Sequence, residues 1–126
     1  MRESTLWVLH IFAGAIILVL LGLHMFIMHL DEVLGVLGIG YSEPIASESV
    51  FARSEQAFFM VTYILLLGAA LYHGLYGFRN MLFELTLPKA AETFINWSFT
   101  LVGLGLFAFG TYAAIFVFAA KFAKEI

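Results

Sequence analysis

Three long apolar runs, each without an internal charge for most of its length, set the limits on what this chain can become. Trp7 to Met28 is a stretch of 22 residues whose only strongly polar side chains are His10 and His24. At the α-helical rise it covers about 33 Å, slightly more than a ~30 Å hydrocarbon core. A second run extends from Ala57 to Phe83 and carries His73, Arg79 and Asn80 toward its C-terminal end. Leu101 to Ala120 forms a third, of 20 residues with no charge, closed by Lys121, Lys124 and Glu125. A core built from 126 residues cannot bury three such runs, so lipid must cover the remainder. Barrel strands would be ~10 residues long with alternating polarity, whereas these runs are continuous.

The composition agrees: 63% of residues are hydrophobic and 12% charged, against roughly 25% charged in an average soluble domain. The spacing predicts an all-α integral membrane protein, a single domain over residues 1–126 with spans at about 6–30, 57–84 and 95–120. The first run is too long for a signal peptide's apolar region and lacks a small-residue cleavage site, so it is read as retained. Between spans one and two, Asp31, Glu32, Glu43, Pro44, Glu48, Arg53 and Glu55 crowd a segment with Gly35, Gly38 and Gly40. Such a segment cannot lie in hydrocarbon, though Asp31 to Leu37 is expected to form a short interfacial helix. Pro88 is expected to stop span two, followed by a polar turn marked by Lys89, Glu92 and Asn96.

Several function classes fall away. The chain has no cysteine, which excludes disulfides, iron–sulfur ligation and thioether haem attachment through its own thiols. Its net charge of −3 comes without a basic cluster, so nucleic acid is not an expected partner. Arg2, Arg79 and Lys89 face one side and Arg53, Lys121 and Lys124 the other, a balance that gives no orientation by the positive-inside rule.

The histidines are the informative residues, because an ionisable group at membrane depth costs several kcal/mol without a partner. His24 lies near the end of span one and His73 well inside span two. Neutral imidazole offers one nitrogen lone pair to a metal while its N–H serves a carbonyl, which suits haem iron in an apolar setting. Antiparallel helices put His24 and His73 at different depths, separated by about 10–15 Å along the membrane normal. That arrangement suits two haems, each taking its second ligand from another polypeptide or another copy. Gly14, Gly22, Gly74 and Gly77 flank these histidines and are expected to leave room for a flat macrocycle, although close helix packing uses small residues in the same way. Arg79 is a candidate for pairing with a haem propionate or for snorkelling to the headgroups. His10 and His29, near the ends of span one, are expected to be satisfied by water or headgroups, with quinone or propionate contact as alternatives. Structural hydrogen bonding remains open for every one of these histidines.

Two stretches carry a family resemblance. FAGAIILVLLGLHMFIMH, with Gly14 ten residues before His24, resembles the first helix of haem-bearing anchors, and HGLYGFRNMLFE, residues 73 to 84, is similar to the His, Gly, Arg, acidic pattern of their second helix. The chain thus resembles the small three-helix cytochrome b membrane-anchor subunit of succinate:quinone oxidoreductase or fumarate reductase, respiratory Complex II. That resemblance implies three helices forming part of a heteromeric haem-binding bundle in the cytoplasmic membrane of a prokaryote. It implies haem b as cofactor, with His73 as axial ligand of the haem nearer the soluble subunits and His24 as ligand in two-haem anchors. A second membrane anchor, an iron–sulfur subunit, a flavoprotein subunit and quinone would be the partners. The role would be non-catalytic electron transfer in the respiratory chain and tricarboxylic acid cycle. Departures are specific: Glu84-Leu85 stands where the family often has Asp-Tyr, and His10-Ile-Phe-Ala-Gly14 replaces its Arg-x-Ser-Gly, so two quinone contacts are missing. The rivals are a dihaem b-type anchor of another membrane dehydrogenase or reductase, and a cofactor-free structural or assembly subunit. A transporter fragment is disfavoured because no span is broken.

Overall fold

A computed structural model describes residues 2–38 and 56–124, and the acidic segment with Glu43, Pro44, Glu48, Arg53 and Glu55 lies outside the described residues, as does Glu125. Helix α1 spans Glu3–Val36, α2 spans Ala57–Phe83 and α3 spans Lys89–Lys124. All three are long and apolar enough to cross a membrane, so the chain is a multi-pass, all-α membrane protein.

The helix ends follow from local chemistry. α1 starts after an extended Arg2 with Glu3 in its first turn, where a carboxylate is favourable toward the positive end of the helix dipole. It stops where Gly38 adopts φ +75°, the left-handed conformation that glycine reaches without a Cβ penalty, and bonds back to the Gly35 carbonyl. The predicted interfacial helix at Asp31 to Leu37 is therefore not a separate element: α1 runs unbroken through Val36, because neither Asp31 nor Glu32 interrupts the i to i+4 ladder. Pro88 also plays a different part from the expected one. α2 has already ended at Phe83, and the turn that follows includes Thr86 at φ +55°. The Pro88 carbonyl then accepts the amides of Ala91 and Glu92, opening α3. Lys89, Glu92 and Asn96 thus belong to the first turns of α3, which begins well before the predicted residue 95.

α2 is the central element. α1 and α3 each pack along it, and among the described residues they do not pack on each other. Small residues set the α2–α3 seam: a Cβ on Gly68 would lie 3.1 Å from the Phe107 ring, one on Gly103 2.8 Å from Leu75, and one on Gly110 would collide with Leu67. Ala13 and Tyr76 alone are buried among the described residues, so the apolar side chains face outward, as expected where lipid is the solvent.

This seam yields a test. Gly110→Leu is expected to cost about 1–3 kcal/mol by overpacking against Leu67, lowering the melting temperature in detergent. Gly105→Leu, where a Cβ meets nothing within 4 Å, should leave it unchanged.

Candidate functional site

The polar residues of α2 recur at 72, 73, 76, 79 and 80, one stripe on a helical face otherwise apolar. That stripe meets α1. The Tyr72 hydroxyl donates to the Leu6 carbonyl at 2.8 Å, and His73 Nδ1 contacts the His10 carbonyl at 3.0 Å. A carbonyl only accepts, so Nδ1 carries the proton and Nε2 of a neutral His73 presents its lone pair. No residue among those described bonds Nε2.

His73 also stacks on His10, with ring centroids 4.0 Å apart and planes 4° from parallel. His10 Nδ1 is buried without a hydrogen-bond partner. His10 therefore sits inside the α1–α2 seam, where water and headgroups do not satisfy it.

Glycines make the stack possible, reciprocally. A Cβ on Gly14 of α1 would lie 3.0 Å from Cε1 and 3.2 Å from Nδ1 of His73, and one on Gly77 of α2 would lie 3.1 Å from Cε1 of His10. Each missing side chain is taken up by the histidine ring of the opposite helix. Gly22 and Gly74, by contrast, face open space.

Arg79 stands six residues beyond His73 on α2 and joins all three helices. Its Nε donates to Asn96 of α3, Nη1 to Asn80 at 2.9 Å and Nη2 to Glu3 of α1 at 3.2 Å. The Glu3 carboxylate also accepts from Tyr76 at 3.3 Å, and the guanidinium lies 4.2 Å from the Phe83 ring centroid. This network pairs the arginine within the chain through three of its five N–H groups, so its two expected roles, propionate pairing and simple snorkelling, compete with an ion pair already made. Glu3, Tyr72 and Tyr76 were not singled out from the sequence, and Asn96 was read only as a marker of the polar turn after Pro88. The stripe of Tyr72, Tyr76 and Arg79 at helical spacing was the available signal for two of them.

His24 belongs to the opposite end. Its ring meets Tyr63 edge-on at 6.1 Å, beside a crevice of about 10 Å³ lined by Phe58, Phe59 and Thr62, room for a single water. A porphyrin does not fit in that crevice, and any macrocycle at His24 would lie on an outer face. The level of Tyr63 and His24 is about 15 Å from that of His73, counted along α2. His29 makes a 3.3 Å contact with Glu32, both exposed, a pair of little energetic weight. The two candidate haem ligands are thus not brought together, and among the described residues no group of three His, Cys, Asp or Glu side chains converges to hold a metal ion.

Compared with protein-family models, with curated proteins and with solved structures, the chain matches none. The resemblance drawn above accordingly rests on the motifs around His24 and His73 alone.

Gly14→Ala is expected to force the His73 ring outward by a few tenths of an ångström and to destabilise the chain by about 1 kcal/mol. The imidazole ¹⁵N shifts of His73 report the weakened bond to the His10 carbonyl. Gly22→Ala, with open space around it, should be neutral or mildly stabilising.

Proposed function

We propose that this chain is a non-catalytic anchor subunit of a membrane complex of the succinate:quinone oxidoreductase type, with His73 as an axial ligand of a b-type haem. One observation supports the reading above the others. His73 donates Nδ1–H to a backbone carbonyl and leaves Nε2 without a partner among the described residues, the arrangement that fixes the tautomer and ring orientation of metal-ligating histidines. When bound, haem would supply reversible one-electron transfer between an iron–sulfur partner and membrane quinone. The chain's own part is to orient His73, through the His10 carbonyl and the space at Gly14, and to hold α1, α2 and α3 in register through Arg79. His24, at its separate level, would hold a second haem only on an outer face completed by a partner. The cytoplasmic membrane of a prokaryote, a sister anchor and soluble iron–sulfur and flavoprotein subunits belong to the same proposal and derive from the resemblance.

The chain's own contacts, taken without the resemblance, fit a cofactor-free structural subunit better. The spaces at Gly14 and Gly77 are occupied by histidine rings, Arg79 is neutralised by Glu3, and the crevice at His24 holds no more than a water. On this reading His10 and His73 serve to bind α1 to α2.

A reduced-minus-oxidised visible spectrum of the complex purified through this subunit separates the two. The haem reading expects a b-type band that His73→Ala removes or reduces, with His24→Ala removing a second component. A colourless complex that keeps its subunits would leave the structural reading standing.

A further inference from the structure

Because α1 and α3 each pack on α2 and, among the described residues, not on each other, they leave a trough floored by one face of α2: Gly68, Leu71, Tyr72, Leu75, Tyr76 and Arg79. One wall is the matching α3 stripe from Asn96 through Thr100 and Gly103 to Phe107, and Leu6 of α1 closes the other side near the polar end. The trough holds about 580 Å³ and opens sideways to the bilayer. Its chemistry is graded along its length. From Gly68 and Phe107 to Leu75 and Gly103 it is apolar, and at Arg79 and Asn96 it ends in the charged network that includes Glu3.

We propose that this trough is a binding site for one zwitterionic phospholipid with a primary amine, of the phosphatidylethanolamine class, with an acyl chain along α2 and the headgroup at the Glu3–Arg79 pair.

Charge selects this occupant. The trough is apolar over most of its length and takes an apolar chain laid along α2. At the mouth, the Glu3 side chain is 68% exposed and the Arg79 side chain 17%, so both charges are reachable, the carboxylate more freely. Arg79 uses one N–H on each of its three nitrogens within the chain and keeps two for a phosphate oxygen. An anionic headgroup would gain Arg79 and meet the Glu3 carboxylate. An uncharged head would leave both charges without a new partner. A phosphate joined to an ammonium answers both, and a primary amine has N–H donors for Glu3 that a quaternary choline lacks.

The test uses the full chain, purified in mild detergent and exchanged into bilayers of equal parts phosphatidylethanolamine, phosphatidylglycerol and phosphatidylcholine, with retained lipid counted by native mass spectrometry. The expected result is one phosphatidylethanolamine per chain, enriched about fivefold over the other two, the ratio that about 1 kcal/mol of headgroup electrostatics provides. Thr100→Trp, which fills the trough, should abolish retention. Glu3→Gln should bring phosphatidylethanolamine down to parity with phosphatidylcholine while a lipid stays bound, and it carries the test alone if the tryptophan variant does not fold. Retention of no lipid by the wild-type chain, equal retention of all three headgroups, or an isoprenoid quinone in their place would overturn the proposal. So would a cross-link in intact membranes from Thr100→Cys to a helix of another polypeptide.

Discussion

Everything in this molecule is arranged around two hydrogen bonds from α2 onto the backbone of α1, Tyr72 to the Leu6 carbonyl and His73 to the His10 carbonyl, one helical turn apart. In water such bonds would be modest. In hydrocarbon there is no solvent to take over a polar group left unpaired, so adjacent side chains that reach carbonyls four residues apart define both the register and the rotation of one helix on the other. The parallel stack of His10 on His73 exists because this register brings Gly14 opposite His73 and Gly77 opposite His10. Shifting α1 by a single residue would drive a side chain into each ring.

From that seam the polar chemistry continues in one direction only. Tyr76, Arg79 and Asn80 follow His73 toward the end of α2 and recruit Glu3 from α1 and Asn96 from α3. One end of the protein is consequently clasped by a three-helix network. At the other, His24 rests against Tyr63, and His29 and Glu32 meet near the surface. This asymmetry bears on function. Among the described residues, the His10 carbonyl and the His10 ring hold His73, whereas the Tyr63 edge is what orients His24.

The energetics are those of a protein whose solvent is lipid. With Ala13 and Tyr76 as the buried hydrophobic residues among those described, burial of apolar surface contributes little, and close packing at Gly68, Gly103 and Gly110 together with the polar bonds does the holding. Helices that do not form a closed bundle leave two kinds of free surface. The outer faces, with Gly22 and Gly74 unoccupied, are open to other helices, and the graded trough along α2 is open to a lipid.

Length and hydropathy alone were enough to establish three membrane-crossing helices, because the cost of exposing the backbone in hydrocarbon leaves a continuous apolar run no other form. They also showed that His24 and His73 stand at different depths, since helical rise converts residue count directly to height. Helix boundaries were less legible: nothing local to Asp31 or Pro88 told whether a polar residue ends a helix or rides on one that projects beyond the lipid. What only the tertiary structure decided is how the polar residues are satisfied. Partners such as His10 for His73, or Glu3 for Arg79, lie more than 60 residues apart in the chain, and their meeting depends on the rotation of one helix about its axis. Hydropathy reads the depth of a residue but not its direction. In an apolar helix surrounded by lipid on most sides, that direction is set by which neighbour supplies the hydrogen bond.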